Sequence, residues 1–243
     1  MQTPLMALSA HPRPTIRARA IACLRHLPMN ERRAIAESTI EDAHPEVREA
    51  AIALWRHEHP DFTGAVIDLL LAGRGSPRAQ TTLLASVDRD RLPPEACYRV
   101  AERKLEECEQ LGEQRTRLLA QLAGRDDAPA VLQLLTVILA ERRQQTLDLA
   151  LRVLERSEDR YIVQLIRAAL NDEDRRQRAN AIEALHHLRH RSITERLARL
   201  LDLTERAIGP AAADAAGVRA ILDWCMARPD PWLRECATAA ARG

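Results

Sequence analysis

Apolar and polar positions along the chain repeat with the period of an α-helix, and one block sets the register. In Asp172–Leu188, DEDRRQRANAIEALHHL, Arg178 is followed by Ala181, Ile182 and Leu185. Those offsets of three, four and seven lie on one face of a helix. The same offsets follow three more arginines. Arg48 gives Ala51, Ile52 and Trp55; Arg17 gives Ala20, Ile21 and Leu24; Arg234 gives Ala237, Thr238 and Ala241. A small residue at the first offset lets a neighbouring helix come close, which dense interiors require. Entry signals agree with the helical reading. Pro45 and Pro231 stand where a missing N–H costs nothing, and Ser76 and Asp230 stand where an N-cap accepts orphan N–H groups. The steps Arg17 to Arg48 and Arg48 to Arg78 are 31 and 30 residues, and the last opens a worn copy, Thr81, Thr82 and Leu84. A period near 30 built of helix–turn–helix units is the signature of an α-solenoid.

The same reading extends along the chain. A helix of the motif type lies within residues 1–27. Pairs are expected at 31–41 with 45–57, and at 61–73 with 77–87. Pro93-Pro94 then interrupts the period. Beyond it the pattern predicts helices at 95–111, 113–123, 128–141, 142–156, 159–170, 173–189, 192–203, 218–227 and from 231 onward. Cys97, Ala101, Leu105, Cys108 and Leu111 form the inward stripe of the first of these. Asp127 is placed to cap the helix that follows it. The run Ala130–Ala140 is apolar nearly all round and is expected to be buried. Gly209-Pro210 and Ala211–Gly217 read as a loop or a frayed helix start. The expected division is 1–91, N-terminal repeats, and 92–243, divergent repeats continuous with the first.

The stretches DAHPEVREAAIALW and NDEDRRQRANAIEAL resemble the second helices of HEAT repeats. The resemblance implies an all-α, HEAT-like α-solenoid, a right-handed superhelix of antiparallel helix pairs with about ten to twelve helices. It also implies that the pairs Asp42 with Arg48, and Asp172 with Arg178, brace neighbouring repeats. The first and last copies carry His11 and Arg228 where the aspartate would stand. A wider resemblance covers about residues 95–242. LLTVILAERR, TLDLALRVLE, YIVQLIRAALNDEDRRQRANAIEALHHL and DPWLRECATAAA, in that order, look like the cytosolic HEAT region of bacterial ATP/ADP-translocase-like transporter and cyclic-nucleotide-binding proteins. There such a region sits between a membrane transporter domain and a cyclic-nucleotide-binding domain. Where that family carries an acidic turn, this chain reads HHLRHRS.

Composition narrows the function classes. Aromatics are 2% against 46% hydrophobic residues, so a core must be built from Leu, Ala, Ile and Val. The net charge of +1, from 36 basic and 35 acidic residues, argues against general nucleic-acid binding, which needs a basic face, though a local basic patch is compatible with it, and no specific nucleic acid is expected as a partner. Lys104 is the single lysine; Arg, with its planar fork, suits bridges between helices. Five dispersed cysteines, Cys23, Cys97, Cys108, Cys225 and Cys236, read as reduced thiols. Arginines and prolines interrupt the first 20 residues, where a signal peptide would be apolar. The most apolar run has 11 residues, against about 20 for a membrane span.

Candidate chemistry is sparse. His186 and His190 share a helix face, but no HExxH or CxxC partner accompanies them. No glycine-rich phosphate loop or nucleophile elbow is present, and no cofactor is expected. Eight residues after the motif arginines stand Arg25, Arg56, His186 and Arg242. Arg25, Arg56, His186 and His190 are the candidate partner-binding ridge, suited to an acidic peptide or a phosphate group. The expectation is a non-catalytic, cytoplasmic interaction scaffold or regulatory domain, a segment of a larger bacterial protein, whose partner is another protein or a neighbouring domain. Direct membrane insertion is not expected. One alternative is a linker relaying a signal between a nucleotide-transporter-like domain and a cyclic-nucleotide-binding domain. Another is a HEAT-like lyase or DNA-base glycosylase; the glycosylase would need a basic groove with aromatic residues.

Overall fold

The computed structural model describes residues 4–26, 35–36, 39–88, 91–123, 129–170, 175–202 and 215–242. Among these the chain is all-helical, with twelve α-helices and no strand. It divides into two compact units, Met1–Leu92 and Pro93–Gly243.

The first unit holds α1 (Pro4–Ser9), α2 (Pro14–Cys23), α3 (Pro45–Glu58), α4 (Phe62–Leu71) and α5 (Pro77–Ser86). Proline opens α2, α3 and α5 because its fixed φ suits the first helical turn. The Ser76 side chain accepts from the Ala79 amide at 3.2 Å, and Asp61 caps α4 in the same way through Gly64. Between α4 and α5 the chain turns through Gly73 (φ 64°) and Gly75 (φ 78°), the left-handed region that glycine enters at little cost. Buried Gln80 pins this turn, donating to the carbonyls of Arg74 and Gly75 at 3.1 Å. In this unit the apolar offsets of the motif face inward: Ile21, Leu24, Ala51 and Trp55 are all at most 1% exposed, whereas Ile182 of the defining block is 42% exposed. Trp55 meets Phe62 edge-on, 6.0 Å between ring centroids. Helix α2 packs on α3, and α3 on α5. The expected helix 31–41 falls largely outside the described residues.

The second unit is built on a long hairpin. Helix α6 runs Pro94–Leu122, 29 residues, and α7 runs Ala130–Leu154, 25 residues. At 1.5 Å per residue they are about 43 Å and about 37 Å long. Cys108 Sγ reaches the Arg143 carbonyl at 3.6 Å, while Leu118 shares a core with Leu132 and Leu135, so the two helices run antiparallel. Helices α8 (Arg160–Leu170), α9 (Arg175–Leu185), α10 (Arg191–Asp202), α11 (Ala215–Met226) and α12 (Pro231–Arg242) complete the unit. Helices α10 and α11 pack on α6, α12 packs on α7 and α11, and α8 pairs with α9.

Three expectations are corrected here. No break falls between 111 and 113: α6 continues through Gly112, which lies against Arg143 of α7, so a Cβ there would stand 3.1 Å from Arg143 Nε. This glycine serves a close approach across the hairpin. No break falls between 141 and 142 either, because residues 141–146 (ERRQQT) contain neither Gly nor Pro and the helix simply continues. The run Ala130–Ala140 is not buried all round. Leu132, Leu135 and Leu139 face the core, while Leu134 and Val137 are 51% and 53% exposed. Helix α7 receives α6 and α12, and α8 toward its C-terminal end, while Leu134 and Val137 near its start face away from the core.

Candidate functional site

In the first unit, three arginines in motif register converge on the turn 42–44. Asp42 Oδ2 accepts from Arg17 Nε at 2.8 Å and Oδ1 from Arg17 Nη2 at 2.9 Å, a bidentate clasp. Asp42 Oδ1 also accepts the His44 amide at 2.9 Å. Burial disfavours the charged carboxylate, but the hydrogen bonds from Arg17 and His44 outweigh it and hold Asp42 at about 2. The same clasp raises Arg17 above its ordinary value. Arg48 Nη1 donates to the carbonyls of Asp42 and Ala43 at 2.8 and 2.9 Å, and Arg78 Nη2 donates to Ala43 at 3.1 Å. Arg17 Nη1 repeats the Arg48 contact one copy earlier, on the carbonyls of His11 and Pro12 at 2.8 and 3.0 Å.

The expected pair is therefore divided between two kinds of contact. Asp42 gives its carboxylate to Arg17 of the preceding motif helix, and Arg48 satisfies carbonyls of the turn that leads into its own helix. An arginine four residues into a helix folds back over that turn, while the carboxylate points toward the helix before it. Asp172 and the side chain of Arg178 lie outside the described residues.

In the second unit a polar seam runs along α6. Tyr98 Oη donates to Glu158 Oε1 at 2.9 Å, and the Arg189 amide donates to the same oxygen at 3.2 Å. Burial and the Glu158 carboxylate push the Tyr98 phenol up. The His190 ring stacks on Tyr98 with centroids 5.0 Å apart. His190 Nδ1 lies 3.6 Å from Glu102 Oε1 and 3.0 Å from Ser192 Oγ, which in turn donates to Glu102. About two turns further on, Glu109 takes Arg196 and, at 3.1 Å, Arg199. Arg228 donates to Gln110 Oε1 at 2.6 Å and lies over the Trp224 ring at 3.9 Å. Lys104, 1% exposed, is paired with Glu107 at 2.9 Å.

Ser192, His190 and Glu102 are the residue types of a nucleophilic triad, but their arrangement is different. A triad needs the serine on one imidazole nitrogen and the carboxylate on the other. Here both address Nδ1, and Ser192 Oγ donates directly to the carboxylate, so the imidazole does not bridge the serine and the carboxylate. The cluster ties α6 to α10. The sequence carries a signal for it: Glu102 and Glu109 are seven residues apart on α6, and Ser192, Arg196 and Arg199, four and three residues apart on α10, span the same seven residues opposite them.

The ridge residues have separate fates. Arg25 is exposed, with Nε 3.2 Å from His26 Nε2. Arg56 donates to the Ser86 carbonyl at 2.6 Å and lies over the Phe62 ring at 4.9 Å. His186 is exposed at the end of α9, and His190 is held by Tyr98 and Ser192. Arg242 is exposed and lines an open concavity with Met226, Arg234, Glu235, Thr238 and Ala239.

Among the described residues no three His, Cys, Asp or Glu side chains gather as a metal ion would require. Nor, among them, is any helix long and apolar enough to cross a membrane. Cys97, Cys108, Cys225 and Cys236 are buried and Cys23 is exposed. Burial pushes the Cys108 thiol up to about 11 and the Cys225 thiol up to about 12, far from the range of a reactive thiolate. No family model, curated protein or solved structure matches the chain.

Proposed function

We propose that this chain is a non-catalytic, HEAT-like α-solenoid that serves in the cytoplasm as a scaffold or regulatory domain for another protein or a neighbouring domain. The observation that carries the reading is the convergence of Arg17, Arg48 and Arg78 on one turn. Residues 31 and 30 positions apart contribute to a single junction, as stacking of successive repeats demands. Strong hydrogen-bonding groups are spent on such junctions throughout. Arg142 and Asp230 join α7 to α12 at 2.7 Å, and Arg167 joins α8 to Asp148 and Glu155 at 3.2 and 2.7 Å. A stack of this kind works through its long side-chain faces, and the exposed cations Arg25 and Arg56 suit an acidic segment on one of them.

The test begins with cross-linking of the intact chain in its source cells, followed by reconstitution of the captured protein from purified components. The expected result is a saturable complex that Arg25→Glu with Arg56→Glu weakens by tenfold or more, about 1.4 kcal/mol. Helical circular dichroism of the variant should match the parent. The reading fails if no cross-linked protein rebinds in purified form, or if the double reversal leaves every reconstituted complex unchanged.

A further inference from the structure

The turn 41–44 is held from both sides. Toward the preceding motif helix, Asp42 takes Arg17 of α2 through two hydrogen bonds, at 2.8 and 2.9 Å. Toward the following one, Glu41 Oε1 accepts from the backbone amide of Ser76, the residue that caps α5, at 2.7 Å. The Ala43 carbonyl accepts from Arg48 of α3 at 2.9 Å and from Arg78 of α5 at 3.1 Å, so both of its lone pairs are used. Groups from three successive motif copies thus end on three consecutive residues, Glu41, Asp42 and Ala43.

The turn has little freedom to answer one side without the other. The Asp42 amide donates to the Thr39 carbonyl at 3.0 Å and the His44 amide to Asp42 Oδ1 at 2.9 Å. Ile40, just before the turn, is 2% exposed. Glu41 and Asp42 are joined by one planar peptide. A displacement that parts Asp42 from Arg17 also strains the bonds to Ser76 and Arg78, because a hydrogen bond weakens steeply outside a narrow range of length and angle. Those bonds involve charged groups, the stronger class. They also fall at the start of α5, where backbone amides lack partners within the helix.

We infer that residues 41–44 form a relay between the first and third motif copies. Release of Arg17 from Asp42 frees the turn, and the freed turn lets go of the start of α5. Loosening of α5 acts back on the clasp in the same way, since coupling between two sites is reciprocal. The event is local: Val47, Ala51 and Trp55 of α3 stay buried through it. The relay does not depend on the scaffold reading. Any contact that draws α2 away from the turn is registered on α5.

The test is native-state hydrogen exchange of the full-length chain, read by nuclear magnetic resonance at the Ser76 amide. Arg17 touches no atom of Ser76 in the hydrogen bonds above, so a direct effect is not expected. Under the relay, Arg17→Gln should lower Ser76 protection about tenfold, the scale of one partly shielded charged hydrogen bond. That exchange should depend little on urea, the mark of a local opening. The Trp55 amide, inside α3, should keep the full urea dependence of unfolding. In the reverse direction, Glu41→Ala should lower the protection of the Arg17 Nε–H, which donates to Asp42. If Arg17→Gln melts too low to measure, Asp42→Asn removes the charge alone and reads the same relay. The proposal is overturned if Ser76 protection is unchanged. It is also overturned if Ser76 falls only by the factor seen at Trp55 and with the same urea dependence, which is global unfolding. A loss at Ser76 with none at Arg17 Nε–H in Glu41→Ala breaks the reciprocity and overturns it as well.

Discussion

Asp42→Asn keeps the shape of the Asp42 side chain and removes its charge, so it isolates the ionic part of the clasp with Arg17. The carboxylate accepts two hydrogen bonds from Arg17 and one from the His44 amide at 2.8 to 2.9 Å, and the His44 ring Nδ1 lies 3.3 Å from Oδ1. Asparagine can keep one acceptor contact to the amide and one to the guanidinium. Hydrogen bonds to charged groups contribute about 1.5–3 kcal/mol when shielded, and exposed ion pairs about 0–1 kcal/mol. The Asp42 side chain is 14% exposed, between these limits. A loss of about 1.5 kcal/mol is expected, or about 6–12 °C for a unit of this size.

The pH dependence of that loss is diagnostic. Folding lowers the Asp42 carboxyl from 3.8 to about 2, because Arg17 and His44 outweigh the cost of burial. A group whose folded value is depressed stabilises fully above its unfolded value and loses that contribution as pH falls toward the folded one. The gap between parent and Asp42→Asn should be constant from pH 7 to about 5, roughly half closed near pH 3, and mostly closed near the folded value. Urea denaturation followed by Trp55 fluorescence, with Trp224 and Trp232 replaced by Phe in both proteins, reads the first unit selectively. A gap that is the same at pH 7 and pH 3 refutes the reasoning. So does a double-mutant cycle with Arg17→Gln whose coupling is below about 0.3 kcal/mol.

Of the five thiols, native titration with an aromatic disulfide should find one fast group, Cys23, and four that react only on unfolding. Cys23→Ser should abolish the fast phase, and a second fast thiol would contradict the burial of Cys97, Cys108, Cys225 and Cys236. Gly112→Ala should leave stability unchanged or raise it by up to about 1 kcal/mol, since the flexible Arg143 side chain can withdraw from the new methyl and helix propensity improves. Gly112→Val should cost more than about 1 kcal/mol by thermal melting; a stabilised Val variant would mean α6 and α7 are not in close approach. Leu135→Ala should cost about 2–5 kcal/mol, whereas Leu134→Ser with Val137→Ser should change chemical-denaturation stability by less than about 0.5 kcal/mol. Equal costs for the two would remove the orientation assigned to α7.

Much of this molecule is local. Prolines at the starts of α2, α3, α5 and α12, and caps at Ser76 and Asp230, mark helix starts because they act within one turn on the chain that carries them. The offsets after Arg17 and Arg48 identify inward faces because a helix repeats every 3.6 residues whatever it packs against. The all-helical class follows from the same periodicity. Continuity across Gly112 is different in kind: glycine weakens an isolated helix, and here the residue lies against Arg143 of the partner helix in the packed hairpin. A helical pattern can show that Leu134 and Leu135 are apolar, but only the position of α6 and α12 decides that one is exposed and the other buried. Asp42 is legible as a bracing residue, yet its partner is Arg17, 25 residues earlier, because helix packing in space chooses among several equivalent guanidiniums. By the same rule Arg234 reads as one more copy of the motif in sequence, and tertiary structure alone decides that its guanidinium is left facing an open concavity, since the neighbouring carboxylate of Asp230 is already held by Arg142.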